Sequence, residues 1–371
     1  MRLTPDEQAM SRGELGPGLK KCIDILAKFG AAVGAEELAP IASAHTMPKE
    51  PPELLRDLTE SAKQTGVPTT LHPLMSAFSP VSWERMGIPP DFGQSELAQY
   101  EQRSQIHRRL GFQQTYCCLP MLVGNLPLQG QAVSWIGSGA QLMVNSLLGA
   151  RCNRDGTVIN LAAAMTGRAP RYGMLLDENR LAQVVVRFGD VSPQDLSTVQ
   201  LGAVGYHVGA LAGSRNVAFE GIPQGTDLDQ LKHLMAPQAV SGAVCMCHVV
   251  GLTPEAPTLE AATGGKQPEL EVTINAGDIR AAMNAYAIDG GRVDMALFGC
   301  PHCTIGEITE LASLLSGKTL QSGKRLWVGT GHQIHHLAEL MGCAQAVEAA
   351  GGVFASSCMA TIPDNPIPEG V

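Results

Sequence analysis

The feature that most restricts this chain is the regular exchange of short apolar runs with segments of helical period. Gln183–Phe188, Gly242–Val250, Glu269–Ile274, Met295–Phe298, Arg325–Val328 and Val353–Ala355 read as strands. Residues 201–213, 228–236, 277–286, 304–316 and 331–341 read as the helices between them. A strand followed by a helix returns to its sheet parallel to where it started, so the expected class is α/β with largely parallel sheets. The first half adds a helix over Pro5–Gly30, a short helix from 36 leading through Ile41 into the strand-to-loop run Ser43-Ala44-His45-Thr46, and a helix over 53–65. A strand over Val67–Leu71, an amphipathic helix over 94–110 and a strand-plus-helix segment over 131–150 follow. At 371 residues the chain suits two or three lobes, with boundaries expected near 65–75 and 235–245.

The composition sets what such lobes are made of. Hydrophobic residues are 44% of the chain but aromatics only 4%, so the cores must be aliphatic, and 41 glycines permit many tight turns and close backbone approaches. A formal charge of −9 argues against a general nucleic-acid or membrane-surface binder, which needs a dense cationic face. There is no apolar run of about 18 residues, and the opening residues lack a basic stretch followed by an apolar one. A soluble, cytoplasmic protein is expected.

In that setting ten cysteines do not suggest a disulfide framework, because a reducing compartment keeps thiols reduced. Cys22 and Cys343 lie within helical patterns and read as small buried hydrophobes. Cys118, Cys300 and Cys358 instead each follow a short apolar run and precede a turn or helix. Carboxyl ends of strands in open α/β sheets are where ligands gather, and three thiolates arriving there from distant positions can hold a metal or an iron–sulfur cluster. Core packing is the alternative at this point. Cys300-x-x-Cys303 alone fits a thioredoxin-like pair poorly, lacking the matching strand–helix start with an aromatic-flanked pair.

Other polar constellations are weaker. Ser43-Ala44-His45-Thr46 sets hydroxyls and an imidazole beside one turn, suited to binding a carboxylate or moving a proton, although capping explains Ser and Thr as well. His302, next to Cys300, is placed to orient a substrate. His332 and His336 share a helix face, but without the glutamate of HExxH a packed or solvated face is the better reading. The run from Asn145 through Arg151, Asn153 and Arg154 to Gly156 suits a small anion clamped by arginine, or else a solvated surface loop. No Walker A or GxGxxG pattern is present, so nucleotide use is not supported.

Taken in order, a larger set of motifs resembles the aconitase X family. These are Ser43-Ala44-His45, Pro68-Thr69-Thr70-Leu71, Cys118-Leu119-Pro120 with Val123-Gly124-Asn125-Leu126-Pro127, and Asn145-Ser146 through Gly149-Ala150-Arg151 to Asn153-Arg154. Thr166-Gly167-Arg168-Ala169-Pro170, Tyr172-Gly173, His248 through Ala256, Gly299-Cys300-Pro301-His302 and Cys358 continue the series, so the likeness spans nearly the whole chain. The resemblance implies an aconitase-like, multi-lobed α/β fold and a hydro-lyase acting on small hydroxy acids. It implies an iron–sulfur cluster on Cys118, Cys300 and Cys358, with Ser43, His45 and His302 as catalytic candidates. Thr46, Thr69, Thr70, Asn125, Ser138, Asn145, Arg151, Asn153, Arg154 and Arg168 are the candidates for holding an anionic substrate. Expected substrates are cis-3-hydroxy-L-proline first and mevalonate 5-phosphate second; a non-catalytic partner that kept the fold is the third possibility.

The chain departs from the family pattern at three places. Trp135-Ile136-Gly137-Ser138-Gly139-Ala140 lacks the usual acidic residue, with Gly137 in its place, Ser356-Ser357 precedes the last cysteine, and His72-Pro73 stands where an Asn is typical. The family's swivel domain of about 130 residues has no counterpart before Val371, so the expected active unit is a heterodimer with a small swivel-domain subunit.

Overall fold

The computed structural model describes residues 1–48, 51–60, 64–73, 85–86, 90–287, 293–356 and 358. They divide into two units: residues 1–44 with 126–289, and residues 45–125 with 290–371. The expected boundary near 65–75 lies within the second unit and that near 235–245 within the first. Among the described residues no helix is long and apolar enough to cross a membrane.

In the first unit a parallel sheet has the strand order Leu270–Ile274, Val184–Phe188, Val217–Phe219, Cys247–Val249. Strands Val217–Phe219 and Cys247–Val249 are buried throughout and Val184–Phe188 over its first three residues, as sheets covered on both faces require. Helix Thr198–Ala212 starts at a capping box in which Ser197 and Gln200 satisfy each other's backbone N–H groups. It packs on helix Leu228–Ser241 so closely that a Cβ on Gly205 would lie 2.2 Å from the Leu234 carbonyl oxygen. Glycine there is a packing requirement, since a methyl group would push the helices apart.

Two sequence expectations change near the N-terminus. The single helix over 5–30 is two, Pro5–Ser11 and Pro17–Ala32, because Gly13 and Gly16 take positive φ and Pro17 begins the second. The short helix expected from 36 is strand Leu38–Pro40, paired antiparallel with Arg168–Pro170, an exception to the parallel pattern. Pairing with a partner far along the chain overrode local helix propensity. Strand Ala132–Trp135 and helix Ser138–Ser146 fall where expected.

In the second unit strands Met295–Phe298, Arg325–Gly329 and Gly352–Ala355 form a parallel sheet in that order. Helices Ile305–Leu315, His332–Leu340 and Cys343–Ala349 cover it through a core of Ile308, Ala312, Leu326, Val328, Ile334, Val347 and Phe354, with Cys343 packed at its margin. Strand Ala44–Thr46 carries the chain into this unit. Strand Thr69–Leu71 lies beside residues 113–117, helix Pro52–Glu60 precedes it and helix Pro90–Arg109 follows. The end of the expected helix over 53–65 falls partly on residues 61–63, outside the described residues.

Candidate functional site

The three cysteines singled out by their positions all belong to the second unit. Strand Met295–Phe298 ends in Gly299, whose φ is +105° and whose added Cβ would meet the Gly329 carbonyl oxygen at 2.2 Å. Only glycine lets the chain turn this tightly against the neighbouring strand and present Cys300. The same turn brings the His302 backbone N–H to the Cys118 Sγ, to which it donates at 3.1 Å. Cys358 follows strand Gly352–Ala355. Burial holds the Cys118 thiol well above its ordinary range; adjacent Cys117, then Cys358 and Cys300, push the same way, and the His302 N–H opposes them.

All ten cysteines are thiols, not disulfides. Among the described residues no three His, Cys, Asp or Glu side chains close around one point as ligands of a single ion. Cluster thiolates need a wider spacing, because each binds a different iron. The donor set, three thiols of which Cys118 accepts a backbone N–H at its sulfur, fits a cluster in chemistry. Cys22 is buried and its thiol is pushed up to about 12 by burial, as expected for a core residue.

A buried polar network stands in the same unit. His45 Nδ1 lies 3.0 Å from Thr70 Oγ1, which accepts a hydrogen bond from Asn125 Nδ2 at 3.1 Å. Burial holds His45 well below the usual histidine range, the His72 ring at 5.5 Å adds to this, and a hydrogen bond with the Thr70 backbone opposes it. His45 is thus a neutral imidazole at pH 7. Next to it the Thr46 hydroxyl is buried with no hydrogen-bond partner among the described residues, a costly arrangement unless something else fills it. Thr69 donates to the Val67 carbonyl, and His72, at one of the departures from the family pattern, has its ring nitrogen 3.0 Å from the Pro73 carbonyl oxygen. The network adjoins the thiol loop through the backbone: Leu71 accepts from the Cys117 N–H, and Asn125 donates its N–H to Pro120, two residues beyond Cys118.

The remaining candidates lie in the first unit and are engaged there. Ser43 accepts from the Trp135 indole N–H at 3.1 Å. Asn145 donates to the carbonyls of Cys152 and Cys245 and accepts from the Cys152 N–H, clasping two loops. Asn153 joins the Tyr172 carbonyl to the Met174 N–H. Arg151 binds the Leu175 carbonyl and the Asp177 carboxylate, Arg154 the Ala239 carbonyl, and Arg168 the buried Glu7 carboxylate at 3.0 Å. Ser138 opens helix Ser138–Ser146 behind Gly137, whose φ of +94° favours glycine, so a carboxylate side chain at 137 would be strained in this conformation. Ser357 lies outside the described residues.

Other groups are defined by contacts that the sequence does not show. Arg180, in a polar run of ordinary composition, is buried and forks onto Glu255, with contacts to Asn145 Oδ1 and to the carbonyls of Asn145, Ala150 and Met174. His248 holds the Arg180 carbonyl at 2.8 Å. Asp155 bonds the Tyr172 hydroxyl, and burial holds its carboxyl above the usual range. On helix His332–Leu340, His336 pairs with Glu339 while His332 meets Ser356 and the edge of Tyr116, so the two are packed or solvated separately, as read from the sequence.

Comparison with known proteins covers nearly the whole chain. Models of the aconitase X first, second and third domains match residues 1–178, 182–284 and 293–370. The phosphomevalonate dehydratase large subunit of Methanothermobacter thermautotrophicus is 35% identical over 370 residues, covering 96% of this chain and 87% of that one. The cis-3-hydroxy-L-proline dehydratase of Pseudomonas aeruginosa is 30% identical, covering 100% of this chain and 64% of that protein. The crystal structure of Thermococcus kodakaraensis aconitase X in its holo-form superposes with a TM-score of 0.83 at 31% identity, covering 96% of this chain and 89% of that one.

Proposed function

This chain belongs to the aconitase X family, and from that premise we propose that it is the large, catalytic subunit of a cytoplasmic hydro-lyase that removes water from a small 3-hydroxy acid. The reading includes a small swivel-domain subunit as partner and an iron–sulfur cluster held by Cys118, Cys300 and Cys358. The observation that carries it is the His302 N–H on the Cys118 sulfur, delivered by the glycine turn that also presents Cys300. A half-buried thiol held above its ordinary range ionises readily beside a cation, which is the condition of a cluster ligand. Relatives named as large subunits, matched over 87–90% of their length, support a two-chain enzyme.

The two substrate readings share their chemistry. Both cis-3-hydroxy-L-proline and mevalonate 5-phosphate carry a hydroxyl β to a carboxylate, so one elimination serves either: the Cα–H and Cβ–O bonds break, a double bond forms and water leaves. When bound, a cluster with three protein ligands supplies a Lewis acid for the departing hydroxyl. The rest falls to this chain's own side chains. Neutral His45, held at Nδ1 by Thr70, presents its Nε2–H as a donor to a substrate oxygen, and the buried Thr46 hydroxyl offers a second. The His302 N–H stabilises the Cys118 sulfur as a thiolate. Ser43, Asn145, Asn153, Arg151, Arg154 and Arg168 we assign to shaping loops of the first unit, in view of their contacts within it.

The test is anaerobic co-expression with the small subunit, followed by assay on both acids and iron and sulfide analysis. The expected protein is brown, dehydrates one of the two acids, and loses colour, iron and sulfide as Cys300→Ser. Full activity in a colourless, iron-free preparation would overturn the proposal. An iron-replete pair that turns over neither acid would favour a non-catalytic role.

A further inference from the structure

The turn that follows Cys118 and the strand that carries His45 are joined by side chains as well as by backbone. Leu119 leads into the 3-10 turn Pro120–Val123, closed by Gly124 in the left-handed region, and the Asn125 N–H donates back to the Pro120 carbonyl. Asn125 is thereby anchored at the end of the thiol loop, and its side chain is buried. Its Nδ2 donates to Thr70 Oγ1 at 3.1 Å, and the same oxygen lies 3.0 Å from His45 Nδ1. Thr70 is itself held in place. It bridges to Gln113, while the Leu71 N–H on the same strand donates to Thr115 Oγ1 at 3.0 Å. Three segments distant in sequence thus meet at one hydroxyl.

We propose that Asn125 is a positioning residue that acts on His45 through Thr70, fixing the orientation and proton arrangement of the imidazole from the end of the thiol loop. The physical reason lies in what an amide N–H does to a hydroxyl. By donating, Asn125 occupies a Thr70 lone pair and leaves the hydroxyl proton for another acceptor. It also polarises the hydroxyl, strengthening its bond to Nδ1 in a buried, low-dielectric setting. An acceptor at 125 does the opposite, drawing the Thr70 proton toward itself and away from the ring. Asn125→Asp keeps the shape of the side chain but also adds a carboxylate charge, so the same substitution made beside Thr70→Val, which keeps the charge and removes the hydroxyl, separates hydrogen-bond direction from charge and packing.

The inference rests on the proposed hydro-lyase reading for its kinetic consequence, not for its structural one. In the cluster-loaded two-subunit enzyme, Asn125→Asp and Thr70→Val should each lower kcat by about 10–100-fold, as loss of an outer-shell partner commonly does. KM should move by less than about threefold, and Thr70→Ser should restore most of kcat. The double variant should be no slower than Thr70→Val alone, because links in one chain are not additive. A second arm needs no turnover: 15N NMR of the imidazoles in the folded protein, with His45 assigned by His45→Gln. Asn125→Asp should shift the His45 Nδ1 resonance clearly more when Thr70 is present than in the Thr70→Val background, where only the through-space effect of the charge remains. Equal shifts in both backgrounds, or additive rate losses, overturn the proposal. If the enzyme dehydrates neither acid, the functional reading fails while the resonance cycle still decides the role of Asn125.

Discussion

Replacing Glu255 with Gln removes one charge and almost no volume, and it strikes the most heavily bonded buried group of the first unit. The Arg180 side chain is 2% exposed and that of Glu255 22%, so water screens the pair poorly. Arg180 Nε lies 3.0 and 2.8 Å from the two carboxylate oxygens and Nη2 lies 2.6 Å from one of them, a forked contact that neutral glutamine cannot reproduce. The carbonyls of Met174, Asn145 and Ala150, at 3.0–3.2 Å, keep the guanidinium hydrogen-bonded but supply no countercharge. Breaking a buried pair by neutralising one partner costs about 3–5 kcal/mol. Because the glutamine oxygen retains one acceptor, the expected loss is near the lower end, about 3 kcal/mol, and Glu255→Ala should lie nearer the upper end. Urea unfolding combined with hydrogen exchange reads this locally. The Cys152 amide, bonded to Asn145, should lose protection, while amides of strand Arg325–Gly329 in the other unit should not. A loss below about 1 kcal/mol, the size of an exposed pair, would falsify the argument that burial sets the magnitude.

Gly205→Ala should cost about 1–3 kcal/mol by overpacking against the Leu234 carbonyl. Gly277→Ala, whose Cβ meets nothing within 4 Å in helix Ala276–Asn284, should instead gain about 0.4–1 kcal/mol; paired denaturation curves check both signs. His45 has a folded pKa below its unfolded one, so below the ordinary histidine value near 6.5 the unfolded chain binds the extra proton. Stability that is complete at pH 7–8 should therefore fall as pH drops below about 6.5, and His45→Gln should flatten that part of the denaturant-midpoint profile. Tyr172→Phe removes the hydroxyl that lowers the Asp155 carboxyl pKa while leaving its burial, so 13C NMR should find that carboxyl titrating at higher pH than in the parent. An unchanged or lower value would contradict that assignment.

Much of this protein was legible in its residues alone. The strand–helix alternation from Gln183 to Ala355 gave the parallel sheets, since period and turn residues are local properties that packing here reinforced. Of the three cysteines read as ending apolar runs, Cys300 and Cys358 follow strands of one parallel sheet, whose carboxyl edge is common to its strands, whereas Cys118 lies in an irregular segment before the turn Pro120–Val123. Tertiary structure alone decided what side chains do once gathered. Strand Leu38–Pro40 needed a partner from residues 168–170, and the conformation at Gly137 depends on how the strand before it meets the helix after it. Arg151, Arg154 and Arg168 read as anion clamps in sequence, yet each is taken by a carboxylate or a carbonyl of its own unit. Arg180 had no pattern to announce it, and although Asn125, Thr70 and His45 each stood in a motif, nothing in the sequence joined them. Their partners sit tens of residues away, and only folding fixes which distant donor and acceptor share a buried site where each must be satisfied.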